Sequence, residues 1–105
     1  MTYRVVLTKE AEDDLLRLFD FLLDRELARS AGDLSLPQRA IDAIAEAFKL
    51  LERFPFTCRK AGQSTFLREL VIPFGHAGYV ALFEIIDDRT VAIGAVRHQR
   101  EDDYH

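Results

Sequence analysis

The side chains able to do chemistry in this sequence are concentrated at its end. The run Ala95-Val96-Arg97-His98-Gln99-Arg100-Glu101-Asp102-Asp103-Tyr104 leaves an apolar segment and passes within a few residues to guanidinium, imidazole, carboxylate and phenol groups. An imidazole such as that of His98, with an unperturbed pKa of about 6.5, can give or take a proton near neutrality. A guanidinium can hold a phosphate or carboxylate through two parallel hydrogen bonds. Upstream, Arg68 stands alone in the apolar stretch Phe66 to Ile72, and Arg59 and Lys60 sit together in a polar loop. A site that combined these types would place Arg68 beside the closing run, with cations on an anionic group and His98 as the side chain able to move a proton.

Other chemistries find no support. There is no phosphate-binding or dinucleotide-type glycine pattern, no metal-ligand spacing and no nucleophile elbow, so neither a metal nor a cofactor is expected. Gly75-His76-Ala77-Gly78 reads as a turn. The one cysteine, Cys58, excludes an internal disulfide and a paired-thiol metal cluster. No apolar run reaches the roughly 20 residues that span a bilayer, and the opening Met1-Thr2-Tyr3-Arg4 lacks a signal-peptide layout, so no membrane association and a cytoplasmic location are expected. The net charge of −4 gives a whole-molecule field unfavourable to nucleic acid. Any phosphate contact must therefore come from a local patch.

The elements that position these groups follow from periodicity. The 105 residues form one domain, 1–105, with no linker or repeat. Tyr3 to Leu7 has strand composition. Thr8 stands as an N-cap before acidic residues, and Ala11, Leu15, Leu18, Phe19, Leu22 and Leu23 then recur at helical spacing, which predicts a helix to about Ala28. Ser30 to Leu34 breaks it. Ser35 with Gln38 suggests a capping box, and Pro37 suits a first turn. Ala40, Ile41, Ile44, Phe48 and Leu51 form the stripe of a second helix that stops near Phe54, because Pro55 disfavours helical geometry before it. A polar, basic loop from Phe56 to Thr65 follows. Three strands close the chain, Phe66 to Ile72, Tyr79 to Ile86 and Thr90 to Val96, and their short links imply an antiparallel meander with the second strand central. The expected fold is α+β, in the order β-α-α-β-β-β, with a helical hairpin packed on one face of a small antiparallel sheet.

Strand alternation constrains the site. Arg68 shares a face with Phe66, Leu70 and Ile72, while Glu69 points the other way. On the open face Arg68 would be available to a phosphate or a partner's carboxylate; beneath the helices it would require an acidic partner. Arg97 and His98 are adjacent and so point to opposite faces while the strand persists.

Across nearly its whole length the sequence resembles the RelE/ParE superfamily of toxins from bacterial type II toxin–antitoxin modules. The resemblance rests on the order of its motifs: the opening strand, Thr8 with Ala11-Glu12-Asp13-Asp14-Leu15, Leu50-Leu51-Glu52-Arg53-Phe54-Pro55, Arg68-Glu69-Leu70, Tyr79-Val80, and Val91 to Arg100 with Arg97-His98-Gln99-Arg100-Glu101. It implies neutralisation by a cognate antitoxin in a toxin–antitoxin hetero-oligomer and one of two targets, with an inactive toxin relative acting only as a binding module as the remaining alternative. ParE-like members are known as DNA gyrase inhibitors without cleavage chemistry of their own. RelE-like members cut messenger RNA on the ribosome; by that likeness Arg68 would stabilise the phosphate, with His98 or Tyr104 as acid or base. Arg68, Arg97, Arg100, Arg59 and Lys60 are the positions expected to meet target or antitoxin. Two features favour the ParE-like side. A net charge of −4 opposes entry into the ribosome's phosphate field, and the loop from Phe56 to Thr65 offers only Arg59 and Lys60 where RelE-like cleavage implies a lysine-rich site.

Overall fold

The structure is a computed structural model that describes residues 2–99. Its strands are β1 (Arg4–Leu7), β2 (Arg59–Lys60), β3 (Leu67–Phe74), β4 (Ala77–Ile85) and β5 (Thr90–His98); its helices are α1 (Lys9–Leu27) and α2 (Leu36–Phe48). Alpha2 tightens into a 3-10 turn at Lys49–Glu52, and a second such turn spans Pro55–Thr57. The predicted order holds, and the three closing strands form the expected antiparallel meander with β4 in the middle of the sheet.

Two features extend that expectation. The sheet is mixed, in the order β1-β5-β4-β3-β2, because β1 lies parallel to β5, pairing Val5 with Val91 and Leu7 with Ile93. The basic loop also contributes a strand, β2, which pairs Arg59 with Glu69 and Lys60 with Arg68 at the edge of β3.

The hairpin covers one sheet face. Ala11, Leu18 and Leu22 of α1 and Ala40, Ile44 and Phe48 of α2 pack on Leu70, Ile72, Tyr79, Ala81, Phe83, Ile85, Val91, Ile93 and Val96. Each large apolar side chain buried here contributes about 1.5 to 3 kcal/mol relative to exposure. The strand alternation is visible in the core: the buried members of β3 are Arg68, Leu70 and Ile72, and Leu67 and Val71 face out.

Beta5 carries an irregularity that decides which side chains join the core. Leu82 pairs with Ala95 but Phe83 pairs with Ile93, leaving Gly94 as an extra residue in β5. A bulge of this kind shifts the phase of alternation by one. Upstream of it Val91 and Ile93 are buried; downstream, Val96 is buried and Arg97 is exposed.

Beta1 ends opposite Ile93, so among the described residues the next stretch of β5 has no strand on that side. The start of α1 takes its place. The Thr8 backbone N–H donates to the Ile93 carbonyl at 2.9 Å, the Thr8 hydroxyl donates to the Gly94 carbonyl at 3.4 Å, and the Val96 N–H donates to the Asp14 carboxylate at 2.9 Å. A hydrogen bond to a charged acceptor contributes about 1.5 to 3 kcal/mol, so Asp14 anchors α1 to the strand that leads to His98. Thr8 also accepts from the Ala11 N–H, as an N-cap should.

The turn between the helices departs from the expected capping box. Ser35 makes no side-chain cap; instead Asp33 accepts from the Ser35 N–H at 2.9 Å and its hydroxyl at 2.6 Å, and pairs with Arg39. Behind it lies Glu26, only 2% exposed, whose carboxylate accepts from the Asp33 N–H at 2.9 Å and from Arg29 at 3.2 Å. Those bonds, the Asp33 N–H first, hold the Glu26 carboxyl below its ordinary value of about 4.5. The Ser35 hydroxyl and N–H, with Arg39, similarly lower Asp33.

A depressed folded-state pKa adds stability above the unfolded value, and that stability is lost as pH falls through the folded one. Thermal midpoints measured from neutrality down into the acid range should therefore fall less steeply below about pH 4.5 for Glu26→Gln than for the parent. Superimposable profiles would show that Glu26 is not what makes this turn acid-sensitive.

Candidate functional site

Arg68 lies beneath the hairpin side of the sheet, 9% exposed, and the acidic partner expected for it there is replaced by backbone. Its Nε donates to the Thr65 carbonyl at 2.7 Å, and its Nη1 donates to the carbonyls of Phe56 at 3.0 Å and Cys58 at 2.7 Å. Its guanidinium carbon stands 5.3 Å from the centre of the Phe56 ring, which meets Phe66 edge-on at 6.3 Å. Several carbonyl dipoles thus satisfy the charge together, and the guanidinium ties the segment before β2 to β3. Cys58 is half-buried next to it, and burial raises the thiol's pKa despite the nearby cation.

The neighbouring acid, Glu69, points to the opposite face as alternation predicts. There it pairs with Arg59 at 2.5 Å. Lys60 is exposed on the two-residue edge strand.

His98 is on the hairpin side, the bulge at Gly94 having set its phase, and Arg97 is on the open face. The imidazole meets the Tyr79 ring edge to face at 5.6 Å. Burial pushes the Tyr79 phenol up, with Arg25 opposing the shift, so the hydroxyl keeps its proton at neutral pH.

The structure does not bring Arg68 and His98 together. Arg68 pairs with Phe83 and His98 with Tyr79 on the two sides of β4. Four residues along a strand and two strand spacings separate them by on the order of 16 Å. Arg68 and Arg97 are on opposite faces. The remaining candidates, Arg100 and Tyr104, lie outside the described residues.

Two groups that the sequence reading passed over complete the picture. Arg17 and Arg25 of α1 face a cleft of about 340 Å³ whose walls include Tyr79 and His98. The signal for them was present in the four-residue spacing of Arg17, Phe21 and Arg25, which puts all three on one helical stripe. Among the described residues no cluster of three or more histidine, cysteine or acidic side chains is placed to hold a metal. Among the described residues no helix is long and apolar enough to cross a membrane.

Comparison with known proteins agrees with this architecture. The chromosomal ParDE toxin–antitoxin system of P. aeruginosa includes a chain that superposes with a TM-score of 0.71 at 16% identity, covering 92% of this chain and 96% of that one. The toxin–antitoxin complex RelBE2 of Mycobacterium tuberculosis includes one with a TM-score of 0.61 at 25% identity, covering 93% and 99%. In sequence, the chain is 36% identical to Toxin RelE3 of Caulobacter vibrioides over 97 residues, covering 92% of this chain and 95% of that protein. It is 31% identical to Toxin RelE1 of the same organism over 86 residues, covering 82% and 83%. The family described as the ParE toxin of the type II toxin–antitoxin system parDE matches residues 5–103. With two helices on a mixed sheet and a family match that spans nearly the whole sequence, the chain belongs to the ParE toxin family of type II toxin–antitoxin systems, within the RelE/ParE superfamily.

Proposed function

We propose that the chain acts as a ParE-like toxin that inhibits DNA gyrase and is neutralised by a cognate antitoxin. The observation that supports this reading most is the engagement of Arg68. A phosphate-binding arginine in RNA cleavage needs its donors directed at substrate within reach of the acid–base group. Here its Nε and Nη1 serve the carbonyls of Thr65, Phe56 and Cys58, on the order of 16 Å from His98. The net charge of −4 adds an unfavourable field toward ribosomal phosphate.

A second reading, a ribosome-dependent endoribonuclease, draws on one observation: both Caulobacter relatives are named RelE toxins. In that case His98 would be the acid or base, with Arg17 and Arg25 as the nearby cations.

The antitoxin's contact surface in this reading is the open sheet face. Leu67 and Val71 are exposed there, with Arg97 on β5 placed to meet acidic antitoxin residues and Arg59 on the edge strand β2 able to do so by exchanging Glu69 for one of them. The M. tuberculosis neighbour is itself a toxin–antitoxin complex.

Purified chain added to gyrase and relaxed plasmid is expected to block supercoiling or to accumulate gyrase-cleaved DNA, while transcripts in arrested cells stay intact. Unaffected supercoiling together with cleaved transcripts, lost in a folded His98→Ala variant, would replace the first reading with the second.

A further inference from the structure

Arg17, Phe21 and Arg25 present a guanidinium, a ring and a guanidinium in line along α1, facing the end of the sheet where β4 begins and β5 ends. Phe21 is 59% exposed, and the Arg25 guanidinium carbon lies 6.0 Å from its ring centre. Opposite stand Tyr79 and His98, with Leu22 between the two walls. The cleft of about 340 Å³ adjoins a second hollow of about 260 Å³ that shares Leu22, Arg25, Tyr79 and His98 and continues to His76. Small-molecule sites start at about 300 Å³ and combine apolar walls with a few convergent polar groups.

The polar lining has one sign. Arginine, histidine and the protonated Tyr79 hydroxyl can each donate hydrogen bonds, and among the described residues no carboxylate lines either hollow. Asp14 pairs with Arg17 and Glu26 stands 3.5 Å from the Arg25 Nε, so each guanidinium is held on α1 by an acid outside the lining. An anion is the complementary ligand, and the exposed Phe21 ring calls for a flat apolar body beside it. Asp20 and Asp24, exposed on the same helix, would repel a long polyanion, so a single compact anion fits where a nucleic-acid strand does not.

We propose that this cleft binds a small aromatic anion, its ring against Phe21 and the edge formed by Tyr79 and His98, and its acid group at Arg17 and Arg25. The proposal rests on the first reading of function, in which His98, Arg17 and Arg25 are not engaged in RNA cleavage.

The full-length chain titrated by NMR with adenosine 5′-monophosphate and with indole-3-acetate tests a phosphate and a carboxylate source of the same chemistry. Adenosine and indole serve as the neutral counterparts. At least one anion is expected to shift the Tyr79 and His98 ring resonances with a Kd below about 1 mM, and its neutral counterpart to bind at least roughly tenfold more weakly. Arg25→Gln should weaken the anion at least about tenfold with an unchanged circular dichroism spectrum. Phe21→Leu, at an exposed position that tolerates substitution, should weaken it several-fold as a second variant. Failure of both anions to bind, equal binding of the neutral rings, or indifference to both substitutions would overturn the proposal.

Discussion

Arg68→Ala is expected to lower the unfolding free energy by about 3 kcal/mol, since a hydrogen bond from a charged donor contributes about 1.5 to 3 kcal/mol and the guanidinium makes several to part-buried carbonyls. Truncation deprives the carbonyls of Phe56, Cys58 and Thr65 of their shared donor, and an unsatisfied buried acceptor costs about 1 to 3 kcal/mol. It also removes the cation from the Phe56 ring. Water reaching the 56–65 segment would recover part of the loss, which is why the effect is below the sum of its parts. Urea denaturation should show the drop as a lower midpoint with an unchanged slope. Arg68→Lys should fall between, because an ammonium restores the charge but not a planar fork that reaches several carbonyls at once. The measurement also separates two roles for Arg68. A variant that keeps parental stability and loses toxicity would mean that the guanidinium meets the target; one that loses stability and toxicity together fits the framework role.

Arg68 also marks where sequence reasoning reaches its limit. Alternation along β3 identified its face companions, Leu70 and Ile72, and its opposition to Glu69. The choice between open and covered faces depended on where the hairpin packs, and the nature of its partners depended on a loop whose carbonyls have no sequence signature. Local periodicity made both helices and the three antiparallel strands legible, since each signal lies within one element or one short turn. The parallel pairing of β1 with β5 joins residues more than eighty positions apart, and a four-residue strand with three apolar side chains does not specify a partner strand. The link from Asp14 to the Val96 N–H is equally distant: in sequence Asp14 is one more acid near a helix start. At Ser35 a local rule pointed to the wrong acceptor, because Asp33 offers a carboxylate to the same turn and Arg39 reinforces it. The separation of Arg97 from His98 was legible, but which of them faces the helices was not. Unbroken alternation from Val91 and Ile93 would have turned Arg97 inward, and the extra residue at Gly94 reverses that outcome.

The same end of the sheet yields the second large effect. Gly78 pairs with Pro73 in the β3–β4 hairpin, and a methyl group there would stand 2.2 Å from the Ile72 carbonyl oxygen. That contact is with backbone, so no side-chain rotation relieves it, and the two strands must separate by about an ångström or more. Gly78→Ala is expected to cost about 3 kcal/mol, the upper part of the overpacking range. The hairpin is already closed tightly, with Gly75 at a φ of +62° in the two-residue link between Phe74 and Ala77, which leaves little slack on the turn side. Strain would pass instead to Tyr79, the next residue, and through it to His98. Gly94→Ala is the internal control: its methyl group would come no nearer than 4.0 Å, to the Leu82 carbonyl oxygen, so the cost should stay within about 0.5 kcal/mol. Thermal melts of both variants should therefore diverge, and the Tyr79 and His98 ring resonances should move in Gly78→Ala alone. Equal melting temperatures would mean that the hairpin yields more readily than its geometry implies, and that Gly78 is not what holds the Tyr79–His98 wall of the cleft in place.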